Sequence, residues 1–252
     1  MTAPGQARRA ALVTGAAAGI GRAVSERLLA DGWDVLAVDL RPDADGPGGP
    51  YAADLTTREG NTGAVAAALD AFGRLDAVVA NAGFQHVAPV AEFPEDRWDA
   101  LLAILLTSPF LLAKAAWEPL CAAPEGGRFL AVASAHGLVA SPFKAGYVAA
   151  KHGVVGLVKT LALEGAARGL SAVALCPGYV RTALVEAQIS DQAQAHGLTE
   201  EQVLADVLLA PQAVKRMIEP AEVADTAAFL LGPSGRAFTG SAVSMDNGWT
   251  AR

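Results

Sequence analysis

The segment that most restricts the fold of this chain runs Ala11-Leu-Val-Thr-Gly-Ala-Ala-Ala-Gly-Ile-Gly21, a short apolar strand that turns through glycines into a helix. Its TGxxxGIG spacing places glycine where a Cβ would obstruct a closely approaching diphosphate, and it aims free backbone N–H groups and a helix dipole at that anion. Gly15, Gly19, Ile20 and Gly21 are therefore candidate cofactor contacts. Such a motif acquires meaning from its context. The next apolar run, Asp34–Val38, ends at Asp39, about twenty residues on, where a carboxylate can take the ribose hydroxyls of an adenosine. A 2′-phosphate would lie against that carboxylate, and at about 4 Å each pair of like charges costs about 4 kcal/mol at an effective dielectric near 20. NAD is expected over NADP, with Arg41, two residues on, as the group that could accept a phosphate.

Short apolar runs alternate with longer helical patterns along the chain. Strands are expected at Ala10–Thr14, Asp34–Val38, Tyr51–Ala53, Leu75–Ala80, Arg128–Ala133, Ser171–Cys176 and Ala242–Met245. Helices are expected near Ile20–Asp31, Thr57–Phe72, Pro94–Ala116, Ala145–Ala167 and Pro220–Leu231. This alternation predicts an α/β chain, a Rossmann-type doubly wound sheet of about seven parallel strands with helices on both faces, forming one domain over residues 1–252. Thr56 with Glu59 reads as a capping box, Pro94 suits a first helical turn, and Pro42–Pro50 reads as a surface loop. Residues 180–217 form the longest insertion, of the kind that serves as a substrate lid.

Composition closes off several classes. A chain of 252 residues, 52% hydrophobic, can bury a core without disulfides. Cys121 and Cys176 have neither CxxC nor zinc-ligand spacing, so no metal site is expected and a reducing cytoplasm fits. The formal net charge of −7 argues against nucleic acid and anionic membranes as partners. Ala100–Ala113 is shorter than the roughly 20 residues a bilayer needs and contains Thr107, Ser108 and Pro109, so it reads as a buried helix. The apolar stretch after Arg8 and Arg9 is broken at once by Thr14 and Gly15, unlike a secretory signal.

Ser134 closes the run Arg128–Ala133, and Tyr147 and Lys151 follow on a predicted helix at i, i+4 spacing, which puts them on one face. Interconverting an alcohol and a ketone needs a proton acceptor at the alcohol oxygen, and a free tyrosine, with pKa about 10, is too weakly ionised. Lowering that pKa by about three units takes roughly 4 kcal/mol, which one close ammonium can supply in order of magnitude. Lys151 is placed to supply it, and the positive ring of a bound nicotinamide would help.

With these motifs in order, the whole chain resembles the short-chain dehydrogenase/reductase family. Asp54-Leu55 resembles that family's adenine-binding pair, Asn81-Ala82-Gly83 its cofactor-supporting turn, and Pro177-Gly178-Tyr-Val180-Arg-Thr182 the segment that cradles the nicotinamide end. The resemblance implies that Tyr147 transfers the proton, Ser134 hydrogen-bonds the reacting oxygen, and Lys151 also holds the nicotinamide ribose. One departure stands out, because the family's fourth catalytic residue, an asparagine, is replaced by Leu105. The family's relay water is held by this residue's backbone carbonyl. Pro109 lacks the N–H that would bond the Leu105 carbonyl, so the freed carbonyl is expected to hold the water. Two further family asparagines appear as Ala131 and Val173, which strand packing explains.

Gln85, His86, His136, Lys144 and Gln188 are polar groups near this centre without a catalytic duty. A small carboxylate beside a hydride-transfer site needs a cation and several donors, and Lys144 is the natural counter-ion. Gly83-Phe-Gln-His-Val-Ala-Pro89, Ser134-Ala-His-Gly-Leu-Val-Ala-Ser-Pro-Phe-Lys144 and Met245-Asp-Asn-Gly-Trp249 resemble the D-3-hydroxybutyrate dehydrogenase branch, with Asn247 where a glycine is usual. That resemblance implies a carboxylate site of Gln85, His136, Lys144 and Gln188 bordered by Trp249, and NAD-dependent, reversible oxidation of (R)-3-hydroxybutyrate to acetoacetate. Alternatives are another small alcohol or ketone, such as a sugar, thioester or acyl-carrier substrate, or a non-catalytic NAD-binding role. The apolar helices Leu101–Ala113 and Ala145–Ala167 predict subunit packing, which the family implies is a homotetramer.

Overall fold

Seven strands form one sheet in the computed structural model, which describes residues 8–186, Ile189, Ala193 and residues 198–251. They are β1 (Ala10–Thr14), β2 (Asp34–Asp39), β3 (Gly49–Ala52), β4 (Ala77–Ala80), β5 (Arg128–Val132), β6 (Ser171–Pro177) and β7 (Ala242–Met245). All neighbours pair in parallel, in the order β3-β2-β1-β4-β5-β6-β7. The chain therefore builds outward from β1 in one direction, returns, and builds outward from β4 in the other. This reversal opens a crevice at the carboxyl ends of the central strands.

Both faces of the sheet are buried because alternate side chains of each strand point to opposite sides. Leu12, Val78, Phe129 and Ala131 face one core, which helices α2 (Arg58–Phe72), α4 (Ser108–Ala115) and α5 (Ala145–Gly165) cover with Val65, Leu112 and Val158. Ala11, Val13, Val79 and Val173 face the other, covered by α1 (Gly19–Ala30) and α6 (Pro220–Leu231) through Leu28, Val223 and Leu230. Ala131 and Val173 are thus core residues of opposite faces, as their strand packing predicts. Each fully buried Leu, Val or Phe contributes about 1.5–3 kcal/mol.

Two local expectations need correction, and a third, the long helix, holds with a local irregularity. The cap of α2 is Thr57, whose hydroxyl accepts from the Gly60 N–H, whereas the Thr56 hydroxyl donates to Asp54 at 2.6 Å. Gly49 and Pro50 belong to edge strand β3, where Pro50 costs the sheet little because edge strands tolerate a missing donor. The long helix near Pro94–Ala116 begins after Pro94 as α3 (Glu95–Leu102) and then widens into a π-turn over Ala103–Thr107, where the Ser108 N–H bonds back to the Ala103 carbonyl. Beyond that turn, Ser108 donates to buried Asn61 at 2.7 Å, and Asn61 in turn donates to the carbonyls of Leu55 and Thr57. The helical stretch Glu95–Ala115 is long and apolar enough to cross a membrane, but Leu101, Leu105, Leu111 and Leu112 are buried within this fold.

Candidate active site

At the carboxyl end of β1 the chain makes the tight turn its glycines require. Gly15 and Gly19 have φ of 66° and 55°, and a Cβ on Gly21 would stand 2.1 Å from the Gly15 carbonyl oxygen. The glycines thus leave room for a diphosphate at the start of α1, so the residues present fit a dinucleotide. Thr14 ties this turn to the next strand end. Its hydroxyl accepts the N–H groups of Asn81 and Ala82 at 2.9 and 3.0 Å and donates to the Val79 carbonyl, while Asn81 Nδ2 donates to the Thr14 carbonyl. Asp39 ends β2 beside the turn, with its carboxylate accepting the N–H groups of Ala17 and Arg41.

A cavity of about 320 Å³ runs from this turn across the strand ends. It is lined by Gly15, Gly19, Ile20, Asp39, Asn81 and Gly83 at one side, by Ser134, Tyr147, Lys151, Pro177, Gly178, Val180 and Thr182 at the centre, and by Gln85, His136, Lys144, Tyr179 and Trp249 at the other. Lys151 Nζ donates to the Val132 carbonyl at 2.6 Å and lies 5.6 Å from the centre of the Tyr147 ring. Burial lowers the Lys151 ammonium to about 8. Enclosure pushes the Tyr147 phenol up, and the hydroxyl of Ser134 draws it back. Among the described residues the downward pull on the phenol comes from Ser134, while the Lys151 ammonium is held on the Val132 carbonyl. Cys176, fully buried beneath these groups, has its thiol pushed up to about 11 and stays protonated.

The far side of the cavity is a polar pocket with aromatic walls. Lys144, only 4% exposed, donates to the Tyr179 hydroxyl at 3.3 Å, and burial brings its ammonium down to about 8. His136 Nε2 lies 3.0 Å from the Ser141 hydroxyl, and burial, with a smaller push from Lys144, lowers the imidazole to about 3. It is therefore neutral near pH 7. Trp249 stacks on Tyr179 at 5.3 Å and sets its ring edge-on to His136 at 4.9 Å. Lys144 precedes α5 directly, and the residue before it, Phe143, has φ of 67°, a conformation uncommon for a bulky side chain. Such strain is typical where a functional side chain must be presented at a fixed angle.

Residues 15–250 match a family model described as enoyl-(acyl carrier protein) reductase. A D-beta-hydroxybutyrate dehydrogenase of Rhizobium meliloti is 42% identical, with 97% of this chain and 99% of that protein aligned. The chain belongs to the short-chain dehydrogenase/reductase family. A second protein named D-beta-hydroxybutyrate dehydrogenase, from Cupriavidus necator, is 40% identical over 97% of this chain and 98% of its own. Among solved structures, the aldohexose dehydrogenase of Thermoplasma acidophilum superposes with a TM-score of 0.90 at 23% identity, covering 97% of this chain and 95% of that one, a likeness of fold.

Short-chain dehydrogenases are oxidoreductases that use a nicotinamide cofactor, and most of the residues expected to serve it converge on the cavity. Asp54 and Leu55 do not line it: Leu55 is packed in the core, and the Asp54 carboxylate, lowered chiefly by the Thr56 hydroxyl, closes its own turn. His86 packs edge-on against Phe93. Gln188 lies outside the described residues. Leu105 lines the cavity at 3% exposure, packed with Ala150 and Tyr147, and it occupies the space over Gly83, where a Cβ would lie 2.3 Å from its Cδ2. Sequence reasoning missed Thr14 and Tyr179. Each lies inside a motif already singled out, so position within the motif was the available signal.

Proposed function

We propose that the protein is an NAD-dependent dehydrogenase that oxidises (R)-3-hydroxybutyrate to acetoacetate, reversibly. The observation that carries this reading is Lys144, a buried cation facing the cavity with no acidic partner among the described residues, beside a neutral His136 and the Ser134–Tyr147–Lys151 group. A buried charge of this kind is costly until an anion completes it, and a short carboxylate bound there would leave its 3-hydroxyl towards Tyr147. The two relatives named for this activity support the substrate.

In this reading Ser134 hydrogen-bonds the substrate oxygen, Tyr147 takes the hydroxyl proton, and Lys151 holds the nicotinamide ribose. A nicotinamide held there by Lys151 and the segment Pro177–Thr182 would supply the hydride acceptor for C3 and a positive charge that favours the Tyr147 phenolate. Asp39 selects NAD by repelling a 2′-phosphate. His136, Gln85 and Gln188 orient the carboxylate, Trp249 and Tyr179 wall it in, and residues 180–217 close over it to exclude water. Asn81 supports the dinucleotide at the cavity wall, whereas Asp54 and Leu55, set outside the cavity, act only through the turn they build before α2. The free cysteines and the exposed Phe110 and Leu163 on α4 and α5 suit a cytoplasmic homotetramer.

The test offers the purified protein each enantiomer of 3-hydroxybutyrate with NAD or NADP and follows the absorbance of reduced cofactor. Turnover of the R form with NAD is expected. Inertness toward both enantiomers, or activity confined to thioesters with NADP, would overturn the assignment.

A further inference from the structure

We propose that Asn247 is a positioning residue that braces the returning arm of the 180–217 insertion against the carboxy-terminal segment carrying Trp249, and thereby sets the wall against which substrate is held. The proposal rests on the hydroxy-acid reading for its kinetic consequence but not for its structural one.

Asn247 makes four hydrogen bonds to one short stretch of the insertion. Its carbonyl accepts from the N–H groups of Ala213 and Val214 at 2.8 and 3.0 Å. Its Nδ2 donates to Gln212 Oε1 and to the Arg216 carbonyl, both at 2.9 Å. Gln212 is fully buried, so the brace ends inside the molecule. The next residue adds contact, since a Cβ on Gly248 would come within 2.9 Å of the Ala213 methyl. On the other flank the Asp246 carboxylate accepts from the N–H groups of Gly248 and Thr250 and from the Thr250 hydroxyl. Trp249 is thus held on a segment fixed on both sides, and its ring meets Tyr179 and His136, the partners of the pocket.

The backbone alone does not call for this side chain. Asn247 has φ of 55°, a left-handed conformation that glycine adopts at lower cost. What asparagine adds is the pair of amide donor bonds joining the two segments. Aspartate has similar size but only accepts when ionised. Gln212 can turn its amide to suit a carboxylate, whereas the Arg216 carbonyl cannot.

The experiment compares full-length Asn247→Asp and Asn247→Gly with the parent. It reads KM and kcat for (R)-3-hydroxybutyrate, NAD affinity by fluorescence, and the rate of tryptic cleavage after Lys215 and Arg216. Losing one such bond corresponds to about a tenfold effect. Both variants are expected to raise KM for the acid and to speed cleavage by about that factor, with Asp the more severe, while kcat and NAD affinity stay within about threefold. Cleavage at the parental rate in both variants, or a lowered Tm with KM unchanged, would overturn the brace. A parent inert toward every hydroxy acid would remove the substrate assignment alone, because the cleavage rates would still decide whether Asn247 holds the arm.

Discussion

Lys144 Nζ reaches the Tyr179 hydroxyl at 3.3 Å and meets no carboxylate among the described residues. A neutral hydroxyl compensates only part of the cost of drying an ammonium. The remainder is available to a ligand of opposite charge, which makes this residue the pivot of the functional reading.

Lys144→Ala should therefore weaken binding of the acid far more than it slows the chemical step. A charge-assisted hydrogen bond contributes about 1.5–3 kcal/mol, so KM for 3-hydroxybutyrate should rise roughly 10- to 150-fold. Tyr147→Phe should do the reverse, abolishing turnover while NAD binding, followed by fluorescence, persists. Steady-state kinetics on the two variants checks both, and an unchanged KM in Lys144→Ala would remove that residue from the carboxylate site.

The depressed pKa of Lys144, about 8, gives the binding a pH signature. Below that value the ammonium is charged and ready. Above it, KM should climb about tenfold per pH unit, while His136, at about 3, contributes no change near neutrality. Stability runs the other way. Between about 8 and 10.5 the unfolded chain keeps a proton that folded Lys144 has released, so stability gains from this residue as pH rises. At neutral pH the burial costs about 3 kcal/mol. Lys144→Met should raise Tm at pH 7, with an advantage that shrinks towards pH 10 in thermal melts.

Leu105 is a tightly enclosed apolar residue where the family resemblance implies an asparagine. Leu105→Asn buries an amide against Ala150 and Tyr147 and should cost about 2–4 kcal/mol of stability. Turnover should change by less than about tenfold if the backbone carbonyl carries the relay water. A larger increase at an unchanged pH optimum, measured by initial rates, would disprove that compensation.

Cofactor choice should turn on Asp39. Asp39→Asn keeps an oxygen for the Ala17 N–H while removing the charge that repels a 2′-phosphate. The ratio of kcat/KM for NAD to that for NADP should fall roughly a hundredfold, about 2.7 kcal/mol. A constant ratio would leave Asp39 without a part in the discrimination.

The sheet could be read because its strands are short apolar runs whose alternate residues are each buried on one face, and because Gly15, Gly19 and Gly21 have no cheaper explanation than a tight turn. The polar pocket could be read because lysine and histidine beside a Tyr–Lys pair are informative as a group. The cap at Thr57 was missed because two adjacent threonines offer the same chemistry and only the turn angle selects one. The π-turn at Ala103–Thr107 leaves no mark in an apolar stretch whose residues suit either helix. The upward push on Tyr147 comes from its complete enclosure, and i, i+4 spacing says nothing about burial.

That wide turn has a consequence for the tolerance of the chain to length changes. An extra residue in a helix rotates all that follows by about 100°. Here the offset lets one rod serve two clients, with Leu105 turned to the reacting centre and Ser108 to Asn61 beside α2. Deleting any single residue between Ala103 and Thr107 would bring the two halves into phase and detach one client, so this stretch should resist shortening although no side chain in it is irreplaceable on composition alone.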